Sequence, residues 1–172
     1  MTAVSTTIAL HEARPDTEPG LGALHGYLDD VIGRMAGRPA TADEVAAFAA
    51  ESPDEDLVAP LGTFLVAIGD GADGDDVLGC VGLRWHGEDV PEDAAEIKRM
   101  WTAPAVRGRG VGKLLLDEVV RRAREAGCAR LVLDSRADLV EARTLYERAG
   151  FVEVAPYNGN PHAQVWYALD LR

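Results

Sequence analysis

Apolar residues recur along the chain with two different periods, and these periods separate helices from strands. Apolar positions three and four residues apart predict helices over 19–36, 41–50, 110–127 and 139–149. Short runs rich in apolar and β-branched residues predict strands over 6–10, 63–68, 77–85, 94–101, 129–133, 151–154 and 164–171. The predicted order is therefore one strand, two helices and three strands, followed by helix, strand, helix, strand and strand.

Local signals mark the ends of these elements and suggest how they connect. Thr41 and Glu44 form a capping box at the start of the second helix, and Gly127 and Gly150 end the third and fourth. Three consecutive strands predict an antiparallel meander, and the strand–helix–strand unit around Gly110 predicts a local parallel pair. The sequence thus predicts an α/β fold with a mixed, mostly antiparallel sheet and helices on both faces. No repeat or boundary interrupts the pattern, so we expect residues 1–172 to form a single domain.

Composition narrows the class of protein. With 47% hydrophobic and 27% charged residues, the chain has the composition of an ordinary soluble globular protein. Its net charge of −12 argues against nucleic-acid and anionic-membrane binding, and is compatible with a cationic small-molecule or peptide partner. No apolar run approaches about eighteen residues, and residues 1–11 lack the regions of a signal peptide. Cys80 and Cys128 form no C-x-x-C motif, so we expect reduced, buried thiols and a cytoplasmic location.

The acidic segment 69–76 lies between two predicted strands. Its carboxylates suggest calcium binding, but the EF-hand spacing with a terminal Glu is missing. We therefore predict a solvated hairpin turn there. Because the chain also offers no His/Cys metal cluster, the sequence predicts no metal site.

The stretch 107–112 carries the strongest chemical signal. It joins a predicted strand to an amphipathic helix, and its three glycines leave backbone N–H groups accessible to a ligand. The N-terminus of the helix adds a partial positive charge, which makes the combination suitable for phosphate. From Ile97 to Leu116 five Lys or Arg residues occur without an Asp or Glu. A basic segment in an acidic chain predicts a local anion site.

Three glycine patterns compete for this stretch. The Walker pattern fails because Arg107 occupies its first Gly position and Leu114 its Ser/Thr position. The dinucleotide-binding pattern fails because Lys113 occupies its last Gly position. The pattern Arg/Gln-x-x-Gly-x-Gly/Ala fits Arg107, Gly110 and Gly112. In this respect the stretch resembles the pyrophosphate loop of the GNAT superfamily, the acyl-CoA-dependent N-acyltransferases.

Two further segments resemble the same family. Residues 96–102 resemble the strand before the loop, and residues 142–151 resemble the family's Ala-x-x-Leu-Tyr-x-x-x-Gly-Phe helix and turn. The three segments follow the order and spacing of the family, and the resemblance covers about 78–151. One departure is Leu139, where many relatives carry an Asn that helps to hold the pantetheine arm. We expect that contact to be missing or replaced here.

The resemblance implies a splayed central pair of strands and a site for acetyl-CoA. In the family, the strand before the loop diverges from the strand after the helix, and the pantetheine arm inserts between them. Met100, Trp101 and Thr102 are then expected to line the arm. Lys98 and Arg99 alternate along the strand, so we expect only one of them to face the cofactor. The backbone amides expected to hold the pyrophosphate are those of Arg107, Gly108, Arg109, Gly110, Val111, Gly112 and Lys113.

Two side chains are candidates for the acid–base chemistry of acyl transfer. The reaction needs a deprotonated amine, a close thioester, a donor for the oxyanion and a proton for the leaving thiolate. By its position in the family motif, Tyr146 is the expected proton donor, because a phenol stays protonated at neutral pH. Glu96 is the expected base, directly or through a water, with His86 and Glu88 as alternatives. The backbone N–H of Trp101 is the expected oxyanion donor.

The resemblance implies an N-acetyltransferase that uses acetyl-CoA and a primary amine. The acceptor is expected to attack directly in a ternary complex, and the protein to be a monomer or a homodimer. The alternative is a non-catalytic acyl-CoA-binding or sensor module on the same fold. Tyr157 and Asn158 are expected to line the acceptor side. The acidic residues expected to flank its mouth and to attract the amine are Asp29, Asp30, Glu88, Asp89, Glu92 and Asp93.

Overall fold

Seven strands and four helices make up the part of the chain that the computed structural model describes, residues 7–71 and 74–172. Their order is the one that the apolar periodicity predicts. The strands are β1 (Ile8–Ala13), β2 (Gly62–Gly71), β3 (Gly74–Arg84), β4 (Ala94–Thr102), β5 (Arg130–Ser135), β6 (Val152–Val154) and β7 (Val165–Asp170). The helices are α1 (Gly20–Ala36), α2 (Ala42–Glu51), α3 (Val111–Glu125) and α4 (Val140–Arg148), with a 3₁₀ turn at Pro104–Val106.

All seven strands join one sheet in the order β1-β2-β3-β4-β5-β7-β6. Neighbouring strands are antiparallel except β4 and β5, which run parallel and are connected through α3. The predicted mixed, mostly antiparallel sheet with a parallel central pair is therefore confirmed. β2 and β3 form the predicted hairpin, in which Gly71 pairs with Gly74. Residues 72 and 73 of its turn, and residue 6 of the first predicted strand, lie outside the described residues.

Helices cover both faces of the sheet, as the sequence predicts. Successive side chains of β2 pack on opposite faces of the sheet. Leu65 packs in the cluster that contains α3, whereas Phe64 packs in the cluster that contains α1. On the first face α3 buries Leu115, and α4 adds Tyr146. On the second face α1 buries Leu28. These two layers hold the central strands in place, and both contribute walls to the site described below.

The start of α2 is held by the capping box that the sequence predicts. The Thr41 hydroxyl accepts a hydrogen bond from the backbone N–H of Glu44 at 3.3 Å, and the Glu44 carboxylate accepts one from the Thr41 N–H at 2.9 Å. Arg38 donates to the same carboxylate at 2.7 Å. Arg38 first, and then Thr41, lowers the pKa of Glu44 to about 2. Since no residue of α2 is fully buried, this box is a main determinant of where the helix begins.

Replacing Thr41 by alanine is expected to lower the free energy of unfolding by about 1 kcal/mol, the usual loss for an N-cap side chain. The pKa of Glu44 is lowered from 4.5 to about 2 on folding, so its stabilising effect is complete above pH 4.5 and is lost as the pH falls toward 2. Urea unfolding at pH 7 and across that acidic range measures both effects. The control is Thr17→Ala, at an exposed threonine, which should change neither. Equal losses in the two variants would contradict the capping role.

Candidate active site

The centre of the sheet opens where β4 and β5 separate. The two strands pair in parallel only over 94–96 and 130–132. Beyond that point β4 continues beside β3, and β5 continues beside β7. The facing edges of 97–102 and 133–135 have no strand partner in the described sheet. The splay that the resemblance implies is thus present, and it offers unpaired backbone groups to an extended ligand.

A β-bulge in β4 accompanies this separation. The register of β4 against β3 shifts by one residue between Trp101 and Lys98, so two residues of β4 oppose Val81. Arg99, inside the bulge, has a φ of 55°, a left-handed conformation that is uncommon for a residue with a side chain. The bulge interrupts the alternation along the strand. Lys98 and Arg99 therefore both line the same cleft, whereas a regular strand would turn them to opposite sides.

The side chain of Arg99 is almost completely buried, and it attaches the bulge to the C-terminal end of α2. It donates to Asp54 Oδ1 at 2.8 Å and to the backbone oxygen of Ser52 at 2.7 Å. Its guanidinium carbon also lies 5.5 Å from the ring centre of Tyr27, a cation–π distance. Burial raises the pKa of Asp54, and the positive charge of Arg99 opposes that rise. These contacts fix the backbone of β4 at the opening.

Trp101 and Thr102 follow the bulge. Ala103 donates its backbone N–H to the oxygen of Leu78 at 2.9 Å. Because an antiparallel ladder alternates, the N–H of Trp101 points toward β3 and that of Thr102 toward the opening. The indole of Trp101 packs against α1 at Gly26, where an added Cβ would lie 2.5 Å from the ring. The backbone N–H of Trp101 is therefore not placed to stabilise an oxyanion in the gap, which corrects the expectation from the sequence.

The glycine-rich loop lies beside the end of β4, at the N-terminus of α3. Gly110 caps the helix with a φ of 87°, and Gly108 has a φ of 77°, both in the region that favours glycine. A Cβ atom added to Gly108 or to Gly110 would have no heavy atom within 4 Å, apart from those of adjacent residues. Their N–H groups donate to no acceptor within the described chain. By contrast, a Cβ on Gly112 would lie 3.2 Å from Thr102 Oγ1, so this glycine allows close packing.

Arg107 connects the loop to two helices. Its Nε donates to the backbone oxygen of Thr102 at 3.1 Å, and its guanidinium pairs with Asp30 of α1 and Glu141 of α4. Arg34 of α1 donates to the same two carboxylates. The four side chains form a closed ring of alternating charge, which we call the Arg107 ring. In this arrangement the guanidinium of Arg107 is already bound to protein groups.

The other expected loop residues differ in their surroundings. Val111 is buried in the core. Lys113 is exposed and pairs with Asp117 at 2.5 Å. Arg109 is exposed and pairs with no carboxylate of residues 7–71 and 74–172. Arg109 is thus the loop cation that is available to a bound phosphate.

A cleft of about 450 Å³ lies across the opening, and we call it the main cleft. Its lining comes from β4, the end of β5, the helices α1, α2 and α4, and the loop before β7. This volume is in the range of small-molecule sites in proteins. The side chains that line it include Tyr27, Val31, Met35, Phe48, Arg84, Lys98, Arg99, Met100, Asp134, Arg136, Leu139, Tyr146, Asn158, Asn160 and His162.

Tyr146 lies in the α4 wall of the main cleft. Its ring packs 5.8 Å from Phe151 and 6.0 Å from Tyr167, centroid to centroid, and the residue is only 4% exposed. Its hydroxyl makes no hydrogen bond to the residues that the structure describes. Burial raises the pKa of this phenol, so it carries its proton at neutral pH. Leu139 lines the same wall with an apolar side chain, at the position where the resemblance predicts a missing or replaced Asn contact.

Glu96 lies at the last paired position of β4, and its exposed fraction is 0%. Arg84 donates to Oε2, and the hydroxyl of Tyr157 donates to Oε1 at 2.8 Å. Burial, and then the charge of Glu96, raise the pKa of Tyr157. Asn158 Nδ2 lies 3.4 Å from Oε1, and Asn158 also lines the main cleft, whereas Glu96 does not. A proton can therefore reach Glu96 only through a neighbouring group or a water.

The structure adds Asp134, which the sequence did not single out as a site residue. It lies two positions beyond Val132, the last β5 residue paired with β4, and it lines the main cleft. Its carboxylate accepts hydrogen bonds from Asn158 Nδ2 at 2.7 Å and Asn160 Nδ2 at 3.0 Å. The available sequence signal was a carboxylate directly after a continuous apolar strand. Whether this carboxylate belongs to the site depends on the separation of β4 from β5, which the sequence does not show.

The acidic residues expected around the acceptor mouth lie in several places. Asp89 lines the main cleft. Glu92 and Asp93 line a second cleft of about 410 Å³, together with His86. His86, one of the two alternative bases, is therefore not among the residues that line the main cleft. The expected acidic residues that line neither cleft are Asp29, Asp30 and Glu88.

Three other features of the described chain bear on the type of site. Cys80 is buried and Cys128 half-buried, and both are free thiols. In residues 7–71 and 74–172, no group of three His, Cys, Asp or Glu side chains is arranged to hold a metal ion. None of the helices in those residues is long and apolar enough to cross a membrane.

Residues 20–151 match the model of the acetyltransferase (GNAT) family. The match covers most of the chain, including the separated strands, the glycine loop and α4. This chain belongs to the GNAT acetyltransferase family. The resemblance that the three sequence segments indicated is thereby confirmed, and the acyl donor of this family is an acyl-CoA.

Individual relatives agree with this assignment. An uncharacterized N-acetyltransferase of Schizosaccharomyces pombe is 34% identical over 90 residues, which cover 52% of this chain and 53% of that protein. The IAA acetyltransferase of Azospirillum brasilense is 32% identical over 94 residues, or 55% of this chain and 57% of that one. The chain thus matches about half the length of these two relatives. The crystal structure of a GNAT acetyltransferase from Staphylococcus aureus Mu50 has a TM-score of 0.73 at 18% identity, covering 96% of this chain and 100% of that one, which shows a shared fold.

Proposed function

We propose that this GNAT protein transfers an acetyl group from acetyl-CoA to the primary amine of a small-molecule or peptide acceptor, by direct attack in a ternary complex. The observation that carries the proposal is the open edge of β4 beyond Glu96, next to free amides at the N-terminus of α3. An extended arm needs edge backbone groups, and a pyrophosphate needs N–H donors. Because all seven strands join one sheet around this opening, we propose a single domain over residues 1–172.

The donor-binding half comprises the end of β4 and the glycine loop. Thr102 turns its backbone N–H toward the opening, and the Met100 side chain lines the main cleft. We assign the pyrophosphate to the amides around Gly108 and Gly110, with Arg109 as the neighbouring cation. The unfilled space over both glycines fits such a ligand. Donor binding there directs the acetyl group toward the main cleft.

In the reaction, a C–N bond forms between the acceptor nitrogen and the acetyl carbon, and the C–S bond to CoA breaks. A backbone N–H of the bulged segment 97–100 is the proposed donor to the oxygen on which negative charge develops. Tyr146 is the proposed donor to the departing sulfur. With its raised pKa, it holds its proton more tightly than a thiol of pKa about 8.5. Its main contribution is therefore a hydrogen bond to sulfur in the transition state rather than complete prior proton transfer.

The proton released by the attacking amine is assigned to Glu96. Because the carboxylate of Glu96 is covered, the proton passes through a water or the hydroxyl of Tyr157, which lies 2.8 Å from Oε1. Asp134 lines the main cleft directly and is the competing acceptor. The two assignments predict different responses to substitution, described below.

The activity itself is tested by the release of CoA thiol from acetyl-CoA in the presence of a panel of primary amines. Thiol release that depends on an amine, with the acetylated amine as co-product, supports the transferase. Acetyl-CoA binding without amine-dependent release from any member of the panel would instead support a non-catalytic acyl-CoA-binding module.

Replacing Gly110 by alanine is expected to weaken acetyl-CoA binding about tenfold or more, because its Cβ would occupy the space in front of the free amides. Calorimetric titration measures the affinity. The matched control is Gly37→Ala at the end of α1, where φ is 67° and the space is equally open. Both variants carry the strain of a left-handed alanine, about 1–2 kcal/mol, so their stabilities should fall alike. Equal acetyl-CoA affinities in the two folded variants would place the pyrophosphate elsewhere.

Replacing Tyr146 by phenylalanine is expected to lower kcat about 10- to 1000-fold while acetyl-CoA affinity stays unchanged, because the ring is kept and the hydroxyl is lost. Steady-state kinetics and calorimetry measure the two quantities. Tyr167→Phe is the matched control, since Tyr167 belongs to the same aromatic cluster but does not line the main cleft. If Tyr146→Phe turns over like wild type at every pH, the assignment to the leaving sulfur is wrong.

Replacing Glu96 by glutamine is expected to remove the acidic limb of the pH–kcat/KM profile, because the amide offers no carboxylate to accept the proton of the amine. The rate penalty should shrink at high pH, where the amine is already free. The comparison variant is Asp134→Asn. If Glu96→Gln keeps the acidic limb and Asp134→Asn removes it, Asp134 is the base.

The Glu96→Gln variant also needs a control for its effect on stability. Glu96→Gln removes one carboxylate partner of Arg84, and loss of one partner of a buried pair typically costs about 3–5 kcal/mol. The folded fraction therefore has to be measured by circular dichroism at every pH. Glu55→Gln, at an exposed glutamate, provides the matched substitution that should leave the free energy of unfolding unchanged.

A further inference from the structure

Two opposite charges face each other across the opening between β4 and β5. Glu96 and Val132 are the last paired residues of these strands. Lys98 and Asp134 each lie two positions further on, so both belong to the same side of the sheet as that last pair. Both line the main cleft, and their charged atoms are more than 4 Å apart. The strand separation thus places a cation and an anion on opposite edges of one cleft.

The carboxylate of Asp134 lacks a cationic partner within the part of the chain that the structure describes. Its two oxygens accept from the side-chain amides of Asn158, at 2.7 Å, and Asn160, at 3.0 Å. These contacts orient the carboxylate but do not neutralise it, because an amide carries no net charge. An oriented, uncompensated carboxylate in a cleft is suited to an ammonium group.

Of the basic residues that line the main cleft, Lys98 has the most distant carboxylate partner. Its side chain is 19% exposed, and its closest described carboxylate is Glu96, with Nζ 4.0 Å from Oε1. That oxygen already accepts a hydrogen bond from Tyr157. The other basic residues of the main cleft have closer partners: Arg84 with Asp56 and Glu96, Arg99 with Asp54, Arg136 with Asp138, and His162 with Glu51.

We infer that the acceptor is a small amine that also carries a carboxylate, of the amino-acid type, and that Lys98 selects it. The ammonium group binds at Asp134, and the carboxylate of the acceptor binds at Lys98. Val31, Met35 and Phe48 also line the main cleft, and they favour an apolar side chain on the acceptor. This inference rests on the proposed acetyltransferase activity and specifies its acceptor.

The test compares each of a set of apolar amino acids with the amine that remains after removal of its carboxylate, with acetyl-CoA as donor. The side chain and the amine are the same within each pair, so the difference reports the carboxylate. For wild type we expect kcat/KM to be about tenfold or more higher for the amino acid. In Lys98→Met this preference should disappear, through a higher KM for the amino acid.

Two further variants separate a specific contact from a change in net charge. Lys98→Glu should reverse the selection and favour a diamine over the amino acid, because the new carboxylate attracts a second ammonium group. Arg124→Met removes a positive charge from an exposed position of α3 and should leave the preference as in wild type.

The outcomes distinguish this inference from the proposed activity. Absence of thiol release with every amine would overturn the acetyltransferase proposal. Amine-dependent release without a preference for carboxylates would leave that proposal intact and overturn the role of Lys98. A Lys98→Met variant whose KM for acetyl-CoA rises, while its selection among acceptors is unchanged, would assign Lys98 to the donor and equally overturn the inference.

Discussion

Arg99 combines a left-handed backbone conformation with a buried charged side chain, and the site depends on the contacts that hold it. Such a conformation persists only where the surroundings specify it. Here they are the carboxylate of Asp54, the carbonyl of Ser52 and the ring of Tyr27. The resulting bulge bends β4 and increases its twist, while β5 stays paired with β7 along its length. The two central strands therefore part after Glu96, and the other parts of the site are arranged around the gap.

Charge pairing explains which charged groups at this gap stabilise the fold and which are free to bind a ligand. A buried charge is tolerated when it is paired and hydrogen-bonded. Arg84 and Glu96 meet this condition together, and Arg99 meets it with Asp54. Lys98 and Asp134 are oriented by the same network without being neutralised by it. The network thus fixes the cleft and leaves the charges of Lys98 and Asp134 available to a ligand.

Much of the architecture followed from local sequence. Apolar periodicity, the capping box at Thr41 and the glycines at 127 and 150 predicted the order of the elements, because these signals act between residues close in the chain. The three motif segments also identified the family, since their spacing reflects one strand–loop–helix unit and the helix after the next strand. The left-handed glycines of the loop at 108 and 110 match the backbone exposure that their pattern indicated.

The tertiary structure decided how the site residues are presented. Pairing across β3 and β4 turned the N–H of Trp101 away from the gap, and the bulge at Arg99 broke the alternation that a regular strand would have. Burial under Tyr157 removed Glu96 from direct contact with the cleft, and the strand separation made Asp134 part of it. The partners concerned are distant in sequence: Arg99 and Asp54 are 45 residues apart, and Glu96 and Tyr157 are 61 apart. The sequence determined the elements and the type of chemistry, whereas the placement of each charge depended on contacts that form only when distant segments pack together.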